Sequence, residues 1–135
     1  MKMNNSISFD PSDHVGINLT GFYNQKLNDL GFQDYTFTID KYKNIEEEVL
    51  TFVGSIITEF RKTFVVLPHL KPAIPYIVPA IREITGYSPV IVYLKQKPTG
   101  EYEPVFTDME KYKNHCRSYR SIVRQRILDE SRKNQ

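Results

Sequence analysis

The sequence predicts an α/β fold, a small open sheet of about four to five mainly parallel strands with helices on both faces. Three observations carry this. Two continuous apolar runs, Phe64-Val-Val-Leu67 and Pro89-Val-Ile-Val-Tyr-Leu94, read as strands covered on both sides. Between them lies a helical pattern opened by Pro72 and closed by Gly86, long enough for a right-handed crossover. A second helical pattern, Val49, Phe52, Val53, Ile56, Ile57 and Phe60, precedes the first run.

Taken in order, residues 1–13 are polar and carry Pro11, the composition of a loose N-terminal lead-in. Val15–Thr20 alternates weakly up to Gly21 and reads as a first strand. Tyr35-Thr-Phe-Thr-Ile39 alternates more clearly and reads as a second. Asn44 and Glu47 stand as a capping box for a helix running through Lys62. After Phe64–Leu67 and Pro68, the stripe Ala73, Ile77, Ala80, Ile81 and Ile84 predicts the next helix. Pro75 fits its first turn, and Pro79 either kinks it or marks its start.

The second buried strand is followed by a turn at Lys95–Gly100. Tyr102–Phe106 then forms a short edge strand, because Pro104 excludes a central place. Thr107-Asp-Met-Glu110 is a second capping box. The helix behind it carries Met109, Tyr112, Cys116, Tyr119 and Val123 on one face, expected to pack on the body. With no repeat, low-complexity tract or linker, residues 1–135 read as one Rossmann-like domain.

Composition is that of a globular protein, with 40% hydrophobic and 25% charged residues in 135. No run approaches the roughly 18 apolar residues of a membrane span. The start, Met1-Lys-Met-Asn-Asn-Ser6, lacks the apolar core of a signal peptide. The single Cys116 excludes an intramolecular disulfide, so a reducing, cytoplasmic location is expected. Charge is uneven: Met109–Gln135 holds eight Lys/Arg against three acids, a net +5, on a body of net −3. A basic segment of this kind suits an anionic partner, although a solvated tail helix has the same composition.

Open α/β sheets bind ligands at the carboxyl ends of their strands. Three loops meet that description: Thr20-Gly21-Phe22-Tyr23-Asn24, Pro68-His69-Leu70-Lys71, and the segment from Lys95 to Lys97. Free amides at Ala73 and Ile74 can donate to a phosphate, beside the charge of Lys71. His69 is the candidate catalytic residue, as donor or proton carrier. Phe22 and Tyr23 can stack on a base whose edge Asn24 reads. The plainer reading of Pro68–Pro72 is a rigid strand-to-helix turn.

On the last helix Lys113, Arg117, Arg120 and Arg124 form one narrow stripe at about 100° per residue. Lying a quarter turn from the apolar face, the stripe would border the body and reach a bound anion, each guanidinium holding phosphate bidentately. The same spacing also describes a solvated stripe. There is no GxGxxG and no Walker-type phosphate loop. His14, His69, His115 and Cys116 have no zinc-ligand spacing, so no metal or cofactor is expected. Motifs for double-stranded DNA are absent as well.

Asn18-Leu-Thr-Gly21, Val65-Val-Leu-Pro68, Ile84-Thr-Gly-Tyr-Ser-Pro-Val-Ile91 and the closing Arg-rich helix follow one another in an order that resembles a family of small CRISPR-associated proteins. These accompany type III systems and have a Rossmann-like fold related to cyclic-oligoadenylate-sensing domains and ring nucleases. The resemblance spans most of residues 15–124, through short motifs. It implies binding of a cyclic oligoadenylate, cyclic tetra-adenylate above all, by a homodimer sharing the ligand across its two-fold, with higher assembly on binding as a further option. Some such proteins cleave the ring without metal, placing a ribose 2′-hydroxyl in line with the phosphate. The family's turn often carries His-Pro after the glycine, whereas Phe22-Tyr23 follows Gly21 here. Binding without cutting is therefore the expectation, with slow cleavage as the other outcome. Two alternatives stand beside it. One is a basic module docking RNA or an acidic protein through the last helix, and the other a small enzyme on a phosphorylated metabolite with His69 as acid or base.

Overall fold

A computed structural model describes residues 7–39 and 44–134. The chain forms β1 (His14–Asn18), α1 (Gln25–Leu30), β2 (Gln33–Asp34), α2 (Ile45–Ile56), β3 (Lys62–Val66), a 3₁₀ turn (Lys71–Ala73), α3 (Ile74–Thr85), β4 (Val90–Gln96), β5 (Tyr102–Asp108) and α4 (Met109–Lys133). Five strands make one sheet in the order β2-β1-β3-β4-β5. β2, β1, β3 and β4 pair in parallel, and β5 runs antiparallel along β4. The fold is mixed α/β and Rossmann-like, as the sequence predicts.

Strand alternation divides the core into two layers. Ile17, Leu19 and Val65 face α2 and α3, meeting Val49, Val53, Ile77 and Ile81. Phe64, Val66, Val90 and Val92 face the other way, onto Leu27 and Phe32. Ile7 and Phe9 complete this second layer, and the Phe9 ring stands 4.7 Å from Phe32 and 5.1 Å from Phe64. Ile7 and Phe9 of the lead-in are thus packed onto the sheet, while its residues 1–6 lie outside the described part. Buried apolar side chains on both sides explain why β3 and β4 read as unbroken apolar runs.

Several boundaries differ from the sequence reading. α1 was not anticipated, because six residues holding a single buried side chain, Leu27, leave no periodic signal. The second strand is only Gln33–Asp34. Tyr35, Phe37 and Ile39 still point into the core, but their segment meets the sheet through the Tyr35 amide, which donates to the Asn18 carbonyl at 2.9 Å, and a bridge between Thr36 and Thr20, and forms no longer ladder among the described residues. α2 stops at Ile56, six residues before Lys62. In its last turn the Ser55 hydroxyl donates to the Phe52 carbonyl at 2.6 Å, competing for a helical acceptor. Phe60 is left 80% exposed. Asn44 makes no capping bond. α3 begins as a 3₁₀ turn and runs through Pro79 to Gly86.

At the start of α4 the cap is Asp108, one residue after Thr107. Its Oδ1 accepts from the Glu110 amide at 3.1 Å and from Lys62 Nζ at 2.9 Å, which ties the helix root to β3. α4 then extends for 25 residues, roughly 37 Å at 1.5 Å per residue. No residue of it is buried. The face expected to pack on the body is open, and Cys116, expected in the core, is exposed.

β1 passes so close to Phe32 that only glycine fits at position 16. A Cβ there would stand 2.4 Å from Phe32 Cδ1. Gly16→Ala is expected to destabilise the fold by about 1–3 kcal/mol through this overlap. Thermal unfolding checks it: the melting temperature falls by several degrees, and Phe32→Leu in the same chain recovers part of the loss.

Candidate functional site

From β1 the chain moves outward to β2, then crosses back to β3 on the other side of β1. The loops after β1 and β3 therefore part company at a topological switch point, where doubly wound sheets leave a crevice. A cleft of about 560 Å³ lies there. Thr20, Phe22, Tyr23 and Asn24 line it from the loop after β1, and Val66, Leu67 and His69 from β3 and its loop. Ile91, Val92, Tyr93 and Leu94 of β4 and Tyr102 of β5 close it.

The first loop takes its shape from Asn18, the last residue of β1 and only 1% exposed. Its Nδ2 donates to the Phe22 carbonyl and to Asp34 Oδ1, both at 2.9 Å. Its Oδ1 accepts from the Thr20 amide at 3.0 Å and the Thr20 hydroxyl at 2.7 Å. Thr20 Oγ1 in turn accepts from the Phe22 amide at 3.1 Å. A buried primary amide with two donors and two accepted bonds is fully satisfied, so the loop is held without orphaned polar atoms. Gly21 turns the chain at φ +79°, a conformation that other residues reach only with strain.

This turn projects Phe22 and Tyr23 outward, 69% and 63% exposed. The Phe22 ring meets His69 edge-on at 5.7 Å between centroids. The Tyr23 hydroxyl donates to Gln25 Oε1 at 2.5 Å. With Tyr93 and Tyr102, both about half exposed, five rings surround the cleft. Exposed aromatic rings gathered around a cleft have the shape and chemistry to stack on flat, apolar-faced ligands.

The candidate residues thus divide. Thr20, Phe22, Tyr23, Asn24 and His69 come together as expected, although Asn24 uses Oδ1 to cap α1, accepting from the Leu27 amide at 3.1 Å. Pro68 is buried and Leu70 packs onto the core beneath α3. Lys71 is exposed at the 3₁₀ turn. The turn engages both amides expected to receive a phosphate: Ala73 donates to the Leu70 carbonyl at 3.1 Å and Ile74 to the Lys71 carbonyl. Lys95 belongs to β4 instead of a loop, exposed and on the same side of the strand as Tyr93.

Arg117, Arg120 and Arg124 are not brought to this cleft. β5 is antiparallel, so Asp108 pairs with Val90 and α4 departs from the amino ends of the parallel strands, opposite the cleft. Tyr93 and Tyr102 escaped the sequence reading. Their signal was available, since Tyr93 breaks an aliphatic run near the carboxyl end of its strand and Tyr102 opens the neighbouring one. His14 is a structural residue: Nδ1 accepts from the Asp10 amide at 3.0 Å, and its ring lies 4.9 Å from Phe64.

No protein-family model, curated protein or solved structure matches the chain. Among the described residues no helix is long and apolar enough to cross a membrane, and no cluster of His, Cys, Asp or Glu is arranged to hold a metal ion.

Asn18→Asp is expected to cost about 2 kcal/mol or more, because it removes both donors and sets a carboxylate against Asp34. The loss is expected to be smaller at pH 4, where the two carboxyl groups are partly protonated, than at pH 7, where both are charged. Adding Asp34→Asn restores part of the stability near neutrality. Denaturant melts of the single and double variants at pH 4 and pH 7 read this directly.

Proposed function

We propose that the protein binds a cyclic oligoadenylate, with cyclic tetra-adenylate as the leading candidate, and holds it without cutting it. The observation that supports this reading best is the ring of aromatic side chains around the cleft at the β1/β3 switch point. Phe22, Tyr23, His69, Tyr93 and Tyr102 offer stacking faces to adenine, each stack contributing about 1–3 kcal/mol. Lys71, two residues beyond His69, and Lys95, on the side of β4 that carries Tyr93, supply positive charge for phosphates. A ring presents bases on opposite sides, which suits two clefts contributed by two copies of the chain across a two-fold axis.

Sequestration is favoured over cleavage by the state of His69. Its ring has no hydrogen-bond partner among the described residues, so nothing sets its tautomer or aims it as a general acid or base. The turn that in the resembled family often carries His-Pro holds Phe22 and Tyr23 instead. Within type III CRISPR defence, such a protein would lower the free concentration of the messenger and so dampen the response.

Titration calorimetry with cyclic tri-, tetra- and hexa-adenylate, with chromatography of the recovered nucleotide, tests the reading. Cyclic tetra-adenylate is expected to bind and to be recovered intact. Phe22→Ala and Tyr93→Ala each weaken binding about tenfold, the equivalent of one lost stack. Arg117→Ala with Arg120→Ala leaves it unchanged. Absence of binding to all three rings, or loss of binding only in the arginine variant, overturns the proposal.

A further inference from the structure

α4 is built unlike a solvated tail. Met109, Tyr112, Cys116, Tyr119 and Val123 recur at alternating intervals of three and four, the seam spacing of paired helices. Ile127, four residues further, lies on the same face at about 100° per residue, although strict alternation would next reach Arg126. Yet Tyr112, Tyr119 and Ile127 are each more than half exposed, and no described element covers them.

Charge is placed with equal bias. From Lys111 to Leu128 there are six Lys/Arg and no acid. At about 100° per residue, Lys113, Arg117, Arg120 and Arg124 flank one side of the seam, and Lys111 and Arg126 the other. The opposite face is polar but uncharged, with Asn114, Ser118, Ser121 and Gln125. A helix evolved only for solubility mixes both signs around its outer surface.

This arrangement also works against the helix in isolation. Lys113–Arg117 and Arg120–Arg124 are like-charged pairs four residues apart, which destabilise a free helix. Long helices with no buried face draw little stability from propensity alone. Carboxylates beside the seam would remove the repulsion, and an apolar ridge would cover the seam. A second copy of α4 can do only the latter, because pairing it with itself sets six cations beside six. RNA could neutralise the charge and stack bases on Tyr112 and Tyr119, but it would leave the aliphatic members Val123 and Ile127 uncovered.

We propose that α4 is one half of a heterotypic helix pair. Its partner is an amphipathic helix on another protein, with its own three-four apolar seam flanked by Glu and Asp. In paired helices the charges beside the seam select the partner, and an all-basic flank rejects itself and selects an acidic one. The surface lies at the end of the sheet opposite the aromatic cleft, so occupation of one need not block the other.

The probe is a labelled 28-residue synthetic helix with Leu at both seam positions and Glu beside them, titrated with the full chain by fluorescence anisotropy. Binding at micromolar concentrations with a gain of helical circular dichroism is expected. Tyr119→Gln with Val123→Gln weakens it at least tenfold, while Ser118→Ala with Gln125→Ala leaves it unchanged. If the seam variant binds as well as the parent, attraction is purely ionic and the proposal fails. Tighter binding of a 20-nucleotide single-stranded RNA than of the peptide, or sedimentation as a dimer that the seam variant dissolves, overturns it equally.

Discussion

The side-chain amide of Asn18 is the constraint on which the cleft depends. It sits at the carboxyl end of β1, where the chain leaves the sheet in one direction and later returns on the other side. A buried amide there must find four partners or leave costly unmet polar groups. It finds them in Thr20, Phe22 and Asp34, drawing together the loop after β1 and the neighbouring strand β2. Since those bonds are internal, the rings of Phe22 and Tyr23 are turned outward. The exposure of the aromatic surface is thus a consequence of how the polar backbone beneath it is satisfied.

The same logic explains the rest of the switch point. Gly16 lets Phe32 lie against β1, which seats α1 and β2 on one side of the strand. The 3₁₀ turn after β3 engages the amides of Ala73 and Ile74 internally, so the start of α3 is a rigid corner and not an anion cradle. Thr85 does similar work at the other end of α3, donating to the Ile81 carbonyl at 2.7 Å and accepting from the Tyr87 amide at 3.1 Å. The Ile84–Ile91 motif therefore has a full structural explanation in closing a helix and starting β4. The outward aromatic cluster and the bare seam of α4, at opposite ends of the sheet, have no such structural explanation.

How much of this was legible depended on whether a signal was local. β3, α3 and β4 were readable because continuous apolar runs and proline and glycine punctuation are properties of short windows. The short helix over Gln25–Leu30 was not, since one buried leucine has no period. Tyr35, Phe37 and Ile39 alternate correctly for burial, but a strand also needs a ladder partner, and that is a tertiary fact. In the cleft, the two loops could be named from topology alone, and Tyr93 and Tyr102 carried a sequence signal whose placement at the cleft only the antiparallel pairing of β4 with β5 makes plain. The largest departure concerns α4. Its apolar stripe correctly predicted an amphipathic helix, and the placement of Asp108 at the far end of the sheet leaves the stripe beyond the helix root uncovered by the described residues.

The central claim is that the aromatic cleft, and not the basic helix, receives the nucleotide. Amide chemical-shift mapping during titration with cyclic tetra-adenylate tests it most directly. Shifts are expected at Thr20–Asn24, His69, Tyr93 and Tyr102, with Arg117 to Lys133 unmoved. Shifts confined to α4, or none anywhere at saturating ligand, would contradict it.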